Sequence, residues 1–235
     1  MTRSRDLIPI ILAAGKGARL DPSQADLPKA LIKINEKPLL YHHLDNLLSL
    51  GFYEAIIVIG YKMNVFKEIV GNSYKSMKIN YVVNNDFEIS GTAWSLFLTQ
   101  KEWLVSNKQV LFLHGDVFYD PLILSKVLND QRSDLIVLDE RYIVKTRDEM
   151  VVLGNGCKVT SIFKGVPEGD KILGECLGIN KWSPSFMNDF YKTFKNYKEQ
   201  YGINHNWEML LEYVLEVSSI DNMEIFYSSS IGAVK

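Results

Sequence analysis

The chain has 235 residues, 47% of them apolar and 23% charged, with a formal net charge of −2 at neutral pH. That length suits one α/β domain with a well-buried core, and the slightly acidic balance speaks against nucleic acid or an anionic membrane surface as partner. Two cysteines, Cys157 and Cys176, lack metal-ligand spacing and are too few for a disulfide framework. No 18-residue apolar run or leader-like segment is present. These features read as a single domain over residues 1–235 in a reducing, cytoplasmic setting, with buried free thiols and no membrane partner.

The first element is a buried strand, Ile8 to Leu12, with Pro9 at its start, where a strand tolerates proline. It runs into Ala13-Ala14-Gly15-Lys16-Gly17, and the missing Cβ atoms of Gly15 and Gly17 let a ligand approach the backbone. Backbone N–H groups there form an anion-binding concavity, around which Lys16, Arg19 and Lys29 add positive charge. The P-loop pattern GxxxxGK[ST] is absent, and Leu20 stands where the dinucleotide fingerprint needs its third glycine.

Leu12-Ala13-Ala14-Gly15-Lys16-Gly17-Ala18-Arg19-Leu20, followed by Pro28-Lys29-Ala30-Leu31, resembles the nucleotidyltransferase signature LAAGxGxRL…PKxL. Enzymes with this signature make nucleotide-activated sugars, phosphocholine and phosphonates. The resemblance implies a Rossmann-like, doubly wound, mostly parallel sheet of the nucleotide-diphospho-sugar transferase type. It implies that Leu12, Ala13, Ala14, Gly15 and Gly17 line the nucleotide. Lys16 and Arg19 would then meet the departing pyrophosphate, and Lys29 the α- or acceptor phosphate.

Further along, residues 38–48 carry apolar side chains on one helical face, with Pro38 in the first turn and Gly51 as the stop. His42 and His43 on that helix point in different directions and read as structural or surface residues. Residues 54–60 and 79–83 read as strands flanking a helix over 62–70, which completes a β-α-β-α-β alternation. The polar loop Asn84–Ser90 then leads to Gly91-Thr92-Ala93, with Ser90 placed to cap a helix. By the resemblance, Gly91 and Thr92 contact the nucleobase, with Asn85 nearby.

The strand Val110–His114 ends in Gly115-Asp116, and the resemblance makes Asp116 a Mg²⁺ ligand; Asp120, before Pro121, reads as a helix cap. Residues 150–163 read as a β-hairpin insertion turning at Asn155-Gly156. The resemblance puts Lys164 against the acceptor phosphate, although Phe163-Lys164-Gly165 departs from the usual Glu-Lys-Pro. Glu175, in Glu175-Cys176-Leu177-Gly178-Ile179, resembles the acceptor-side E-x-x-G-I strand. Trp207-Glu208 resembles an aromatic-acidic pair that holds a quaternary ammonium group. Pro184–Lys198 is an amphipathic helix whose aromatic residues read as core. The family's last strand, with Glu-Ile-Asp and a second metal carboxylate, is missing. Either the chain is a piece of a longer polypeptide or another group, Glu175 or Asp221, takes that place.

Taken together, the chain resembles the compact cytidylyltransferases, which implies Mg²⁺-dependent cytidylyl transfer from CTP to a phosphocholine- or 2-aminoethylphosphonate-like acceptor. Two alternatives stand beside it: a sugar-1-phosphate nucleotidyltransferase using UTP, GTP or dTTP, and a non-catalytic nucleotide-binding module.

Overall fold

Continuous apolar runs of five to seven residues make the centre of the molecule, and their order along the chain sets the topology. The computed structural model describes residues 6–17, 27–141, 149–155, 158–165, 172–217, 223–228 and 233–234. Strand β1 (Leu7–Ala13) comes first, and a 3-10 turn (Lys29–Leu31) and the small hairpin of β2 (Lys33–Ile34) and β3 (Lys37–Pro38) lie beyond it. Next come α1 (Leu39–Ser49), β4 (Glu54–Ile59), α2 (Met63–Val70), β5 (Ser73–Tyr74), β6 (Met77–Val83), α3 (Thr92–Leu98) and α4 (Gln100–Leu104). The second half begins with β7 (Gln109–His114), β8 (Phe118–Tyr119), α5 (Pro121–Asn129) and β9 (Leu135–Asp139). It continues through β10 (Met150–Asn155), β11 (Lys158–Lys164), β12 (Ile172–Trp182), α6 (Pro184–Tyr201), α7 (Trp207–Val217), β13 (Glu224–Tyr227) and β14 (Ala233–Val234).

The strands β6, β4, β1 and β7 lie side by side and parallel, in that order. Alternate residues face opposite sides, as the two-residue period of a strand requires. Ile10, Leu12, Val58 and Phe112 pack with Leu96, Phe190 and Trp207 from α3, α6 and α7. Ile11, Ala13, Ile57 and Leu113 pack with Leu44, Phe66 and Ile123 from α1, α2 and α5. With helices over both faces no strand position can be polar without cost, which is why these runs show no hydrophobic–polar alternation.

Beyond β7 the long β12 enters antiparallel, with Ile179 opposite Leu113, and beyond it come β9 and β13, parallel to each other. The expected hairpin insertion is β10–β11, which closes that end of the ten-stranded sheet and also pairs with β12. Its turn residues Gly156 and Cys157 lie outside the described residues, whereas Cys176 is buried. No helix among the described residues is long and apolar enough to cross a membrane.

Three local expectations need correction. Pro9 is the third residue of β1 rather than its start; the β4 ladder begins only at Ile10, so proline precedes the stretch that is paired on both sides. Pro38 sits in the cap position, one residue before α1. Ser90 does not cap α3: Gly91 holds the cap position without a side-chain bond, and Ser90 Oγ instead accepts from Asn84 Nδ2 at 2.9 Å. Asp120 does cap α5, accepting from Leu122 N–H at 2.8 Å.

The other end of α5 is held by a buried cation. Lys181 of β12, 1% exposed, donates to the carbonyls of Val127 (3.0 Å) and Asp130 (2.8 Å). Burial holds its pKa below the usual lysine range, against the pull of Asp130 and Asp134. Lys181→Met strips both carbonyls of their donor and should destabilise the fold by about 1–3 kcal/mol. Asp120→Ala, at the solvent-facing end, should cost about 1 kcal/mol. Thermal melts of the two variants check the order.

Candidate active site

The sheet reverses its winding at β1: β4 and β6 follow on one side, and the chain then crosses to β7 on the other. In open α/β sheets ligands bind beyond the carboxyl ends of the strands at such a switch point. Both motif-bearing turns are there. Leu12, Ala13 and Ala14 are buried, while Gly15 and Lys16 emerge to solvent. Gly17 takes φ +65°, a backbone region that residues with a Cβ enter at a cost. A Cβ on Gly15 would meet nothing within 4 Å, so the turn borders open space. Arg19 lies outside the described residues.

Gly115 N–H donates to Leu12 O at 2.9 Å, and a Cβ there would stand 3.0 Å from that oxygen. This close approach seats Asp116 opposite Lys29, whose ammonium meets Asp116 Oδ2 at 2.5 Å. Lys29 is placed by its own turn: Leu31 N–H returns to Pro28 O at 2.8 Å, and Ala30 and Leu31 are buried beneath it. The two charged side chains remain about a third exposed (36% and 37%), open to an incoming ligand.

No group of three or more His, Cys, Asp or Glu able to hold a metal is present among the described residues. Mg²⁺ does not need one, since it keeps several waters and takes one or two carboxylates together with substrate phosphates. A part-exposed strand-end carboxylate already engaged with a cation fits that donor set, so Asp116 is the residue that would hold the ion. Of the candidates for a second carboxylate, Asp221 lies outside the described residues and Glu175 pairs in the ladder with Asp139 and Val151. The short β14 pairs with β8, Val234 opposite Phe118, and so returns the chain to within two residues of Asp116.

The residues expected at the nucleobase meet another segment of the chain. Gly91 N–H donates to Ile203 O (2.9 Å), and Ala93 N–H to His205 O (3.1 Å). Thr92 Oγ1 donates to Asn206 Oδ1 (3.4 Å) and accepts from Trp207 N–H (3.1 Å). A Cβ on Gly91 would lie 2.1 Å from His205 O, so backbone approach alone requires glycine here. The polar groups assigned to the base thus clasp the segment that precedes α7, while Asn85 is exposed in the turn after β6.

On the acceptor side, Trp207 is fully buried rather than an open platform. Phe112 and Trp182 pack edge-on against it at 5.2 and 5.3 Å, because Trp207, Leu210, Leu211 and Val214 form the buried stripe of α7. Its Nε1–H donates to His114 Nε2 at 2.8 Å, which leaves the His114 proton on Nδ1. Glu208 is 3% exposed; its Oε1 lies 3.8 Å from His114 Nε2 and its Oε2 has no hydrogen-bond partner among the described residues. His114 was not singled out from the sequence, although it directly precedes Gly115-Asp116. The signal for it was Gly178, whose φ of +67° and position against the His114 ring (a Cβ would lie 2.6 Å from Cγ) permit no side chain. Lys164, at the end of β11, is exposed and opposite Met150.

The family model described as nucleotidyl transferase matches residues 8–143, a span that holds the glycine turn, Lys29 and Asp116. The chain belongs to the nucleotidyl transferase family. It is 34% identical over 125 residues to a CMP-5'-(3-aminopropyl)phosphonate synthase of Streptomyces rubellomurinus, covering 52% of this chain and 19% of that protein. It is 30% identical over 159 residues to the UTP–glucose-1-phosphate uridylyltransferase AglF of Haloferax volcanii, covering 68% of this chain and 62% of that one. The match thus spans less than two thirds of either relative. The inositol-1-phosphate CTP transferase of T. maritima has the same fold, with a TM-score of 0.78 at 18% identity over 97% of this chain and 87% of that one.

In this chain, a buried histidine is coupled to the strand-end aspartate. His43 of α1, 1% exposed, has its Nδ1 3.0 Å from the Tyr119 hydroxyl. Burial lowers its pKa from 6.5 to about 4, against the pull of the Asp116 carboxylate and with a smaller push from His42. Between those two values the unfolded chain binds the proton and the folded chain does not, so stability falls as pH drops through that window. The full loss is on the order of 3 kcal/mol. Urea midpoints between pH 7 and 4 should therefore decline more steeply for the native chain than for His43→Gln; equal slopes would remove His43 as the cause.

Proposed function

We propose that the chain transfers a cytidylyl group from CTP to a small acceptor bearing a phosphate or phosphonate and a cationic group, releasing pyrophosphate. The observation that carries this is the Lys29–Asp116 pair, 2.5 Å apart, facing the glycine turn across the switch point. An acceptor oxygen attacks the α-phosphorus in line as pyrophosphate departs. A phosphate monoester, with its second pKa near ~6, is already ionised at neutral pH and needs no general base. The work left to the protein is positioning and charge neutralisation. Lys16 and Arg19 take the pyrophosphate, Lys29 the α- or acceptor phosphate, and Gly15 and Gly17 admit the chain of phosphates to the backbone. Mg²⁺ held by Asp116 would add charge neutralisation on the triphosphate.

For the acceptor, the buried Glu208 carboxylate, with one oxygen unpartnered among the described residues, supports a positively charged group bound near His114. Glu175 and Lys164 are the further acceptor-side candidates. The phosphonate synthase relative, named for a CMP-linked aminopropylphosphonate, favours the same class. The similarity to the uridylyltransferase, spread over 68% of this chain, supports the second reading, a sugar 1-phosphate acceptor with UTP.

A pyrophosphate-release assay should cross CTP, UTP, GTP and dTTP with phosphocholine, 2-aminoethylphosphonate and glucose 1-phosphate. It should give its highest turnover with CTP and an amine-bearing acceptor. Turnover with the sugar phosphate alone would establish the second reading. Lys29→Ala and Asp116→Asn should each lower turnover about 10²-fold or more with the fold intact, and full activity in both would remove the pair from the mechanism.

A further inference from the structure

The strand-end loops bring a further cation to the glycine turn from a part of the chain outside the family signature. Tyr61 and Lys62 leave β4 at its carboxyl end, and Tyr61 N–H donates to Ala14 O at 3.0 Å, which fastens this loop to the turn. Gly60 makes the approach possible, since a Cβ there would lie 3.0 Å from Ala14 O and 2.6 Å from Phe87 Cβ. Lys62 then takes the left-handed conformation, φ +47° and ψ +41°. Of the other left-handed residues with side chains among the described residues, Asn35, Glu36 and Lys75 sit in tight hairpin turns, where strand twist calls for that geometry, and Asn107, of a type that tolerates it, lies between α4 and β7. Lys62 is in no hairpin, and glycine would hold its place without strain. Backbone strain concentrates where a side chain must be aimed. The Lys62 ammonium lies 5.5 Å from the centre of the Tyr61 ring, and the Lys16 ammonium lies 5.9 Å from the same ring. An aromatic face attracts a cation without cancelling its charge.

We infer that Lys62 is a further polyphosphate contact, and that Tyr61 is a positioning residue holding Lys16 and Lys62 beside the glycine turn. The inference rests on the nucleotide reading above and extends it to a second loop. The polyphosphate is thereby gripped from the ends of two neighbouring strands, β1 and β4.

The test is calorimetric binding of two probes to the full chain, CTP and inorganic tripolyphosphate, each with Mg²⁺. Lys62→Met should weaken both about tenfold, as expected on losing one charge-assisted contact, and should flatten the salt dependence of binding. Lys62→Gly should lose the same affinity while its melting temperature holds or rises, which separates lost binding from damaged folding. Tyr61→Phe, which keeps the ring, should bind as the unmodified chain does, and Tyr61→Leu should lose affinity for both probes. Unchanged binding in both Lys62 variants would overturn the inference, as would a loss confined to CTP, which would move Lys62 to the nucleobase. Unchanged binding in Tyr61→Leu would overturn the role given to Tyr61. An unmodified chain that binds neither probe would sink the nucleotide reading itself, whereas normal binding with indifferent variants would sink this inference alone.

Discussion

The contact between Lys29 and Asp116 ties the site to the fold. At about a third exposure each, the two charges contribute little to stability, since part-exposed ion pairs are worth on the order of 1 kcal/mol or less. Their importance is geometric. The lysine comes from a 3-10 turn seated on Ala30 and Leu31, and the aspartate from a glycine turn pressed onto Leu12 O. They meet only because β1 lies between β4 and β7 in fixed register, Leu12 opposite both Val58 and His114. A one-residue slip of β7 would carry its side chains to the other face and separate the pair. In the proposed reaction the pair keeps a cation and an anion in balance where phosphates are to bind, so neither is left bare in the free protein.

What was legible in the sequence was what local chemistry decides. The apolar runs of β1, β4 and β7 are buried on both faces whatever their neighbours, so they announce themselves. The same holds for the Asp120-Pro121 helix start and for Gly115-Asp116 at a strand end. Gly91 and Thr92 were harder because they meet the segment at Trp207 from more than a hundred residues away. Nothing in Ser90-Gly91-Thr92 indicates that His205 O will lie where a Cβ would be. Ser90 looked like a cap because Asn84, six residues earlier, which claims its hydroxyl, becomes a partner only after the loop has folded back. Trp207-Glu208 resembled an open aromatic-acidic pair, but the buried stripe of α7 begins at Trp207 and turns the indole into the core.

The clasp between α3 and the segment before α7 joins the two halves of the site. Thr92 is its centre, donating to Asn206 Oδ1 and accepting from the Trp207 amide. That places Trp207 against Phe112, and its indole N–H against His114, the last residue of β7. The position of Glu208 is therefore set from the α3 side of the sheet through Thr92, Trp207 and His114. Trp207 and Glu208, beyond the family match over residues 8–143, are in this way fixed to Thr92 and His114 within it.

This placement bears on which acceptor the site suits. His114 Nε2 already accepts from Trp207, so it offers no proton to Glu208 at 3.8 Å. A carboxylate 3% exposed, with one oxygen unpartnered among the described residues, carries the penalty of an unmade hydrogen bond. A sugar hydroxyl would return one neutral hydrogen bond against that penalty, whereas an ammonium group would return a charge-assisted interaction about twice as strong. In the proposed reaction, an acceptor with a cationic group would therefore offset more of the cost than a sugar phosphate, which carries no cation. The argument rests on the burial of Glu208 alone and not on the closed aromatic face of Trp207.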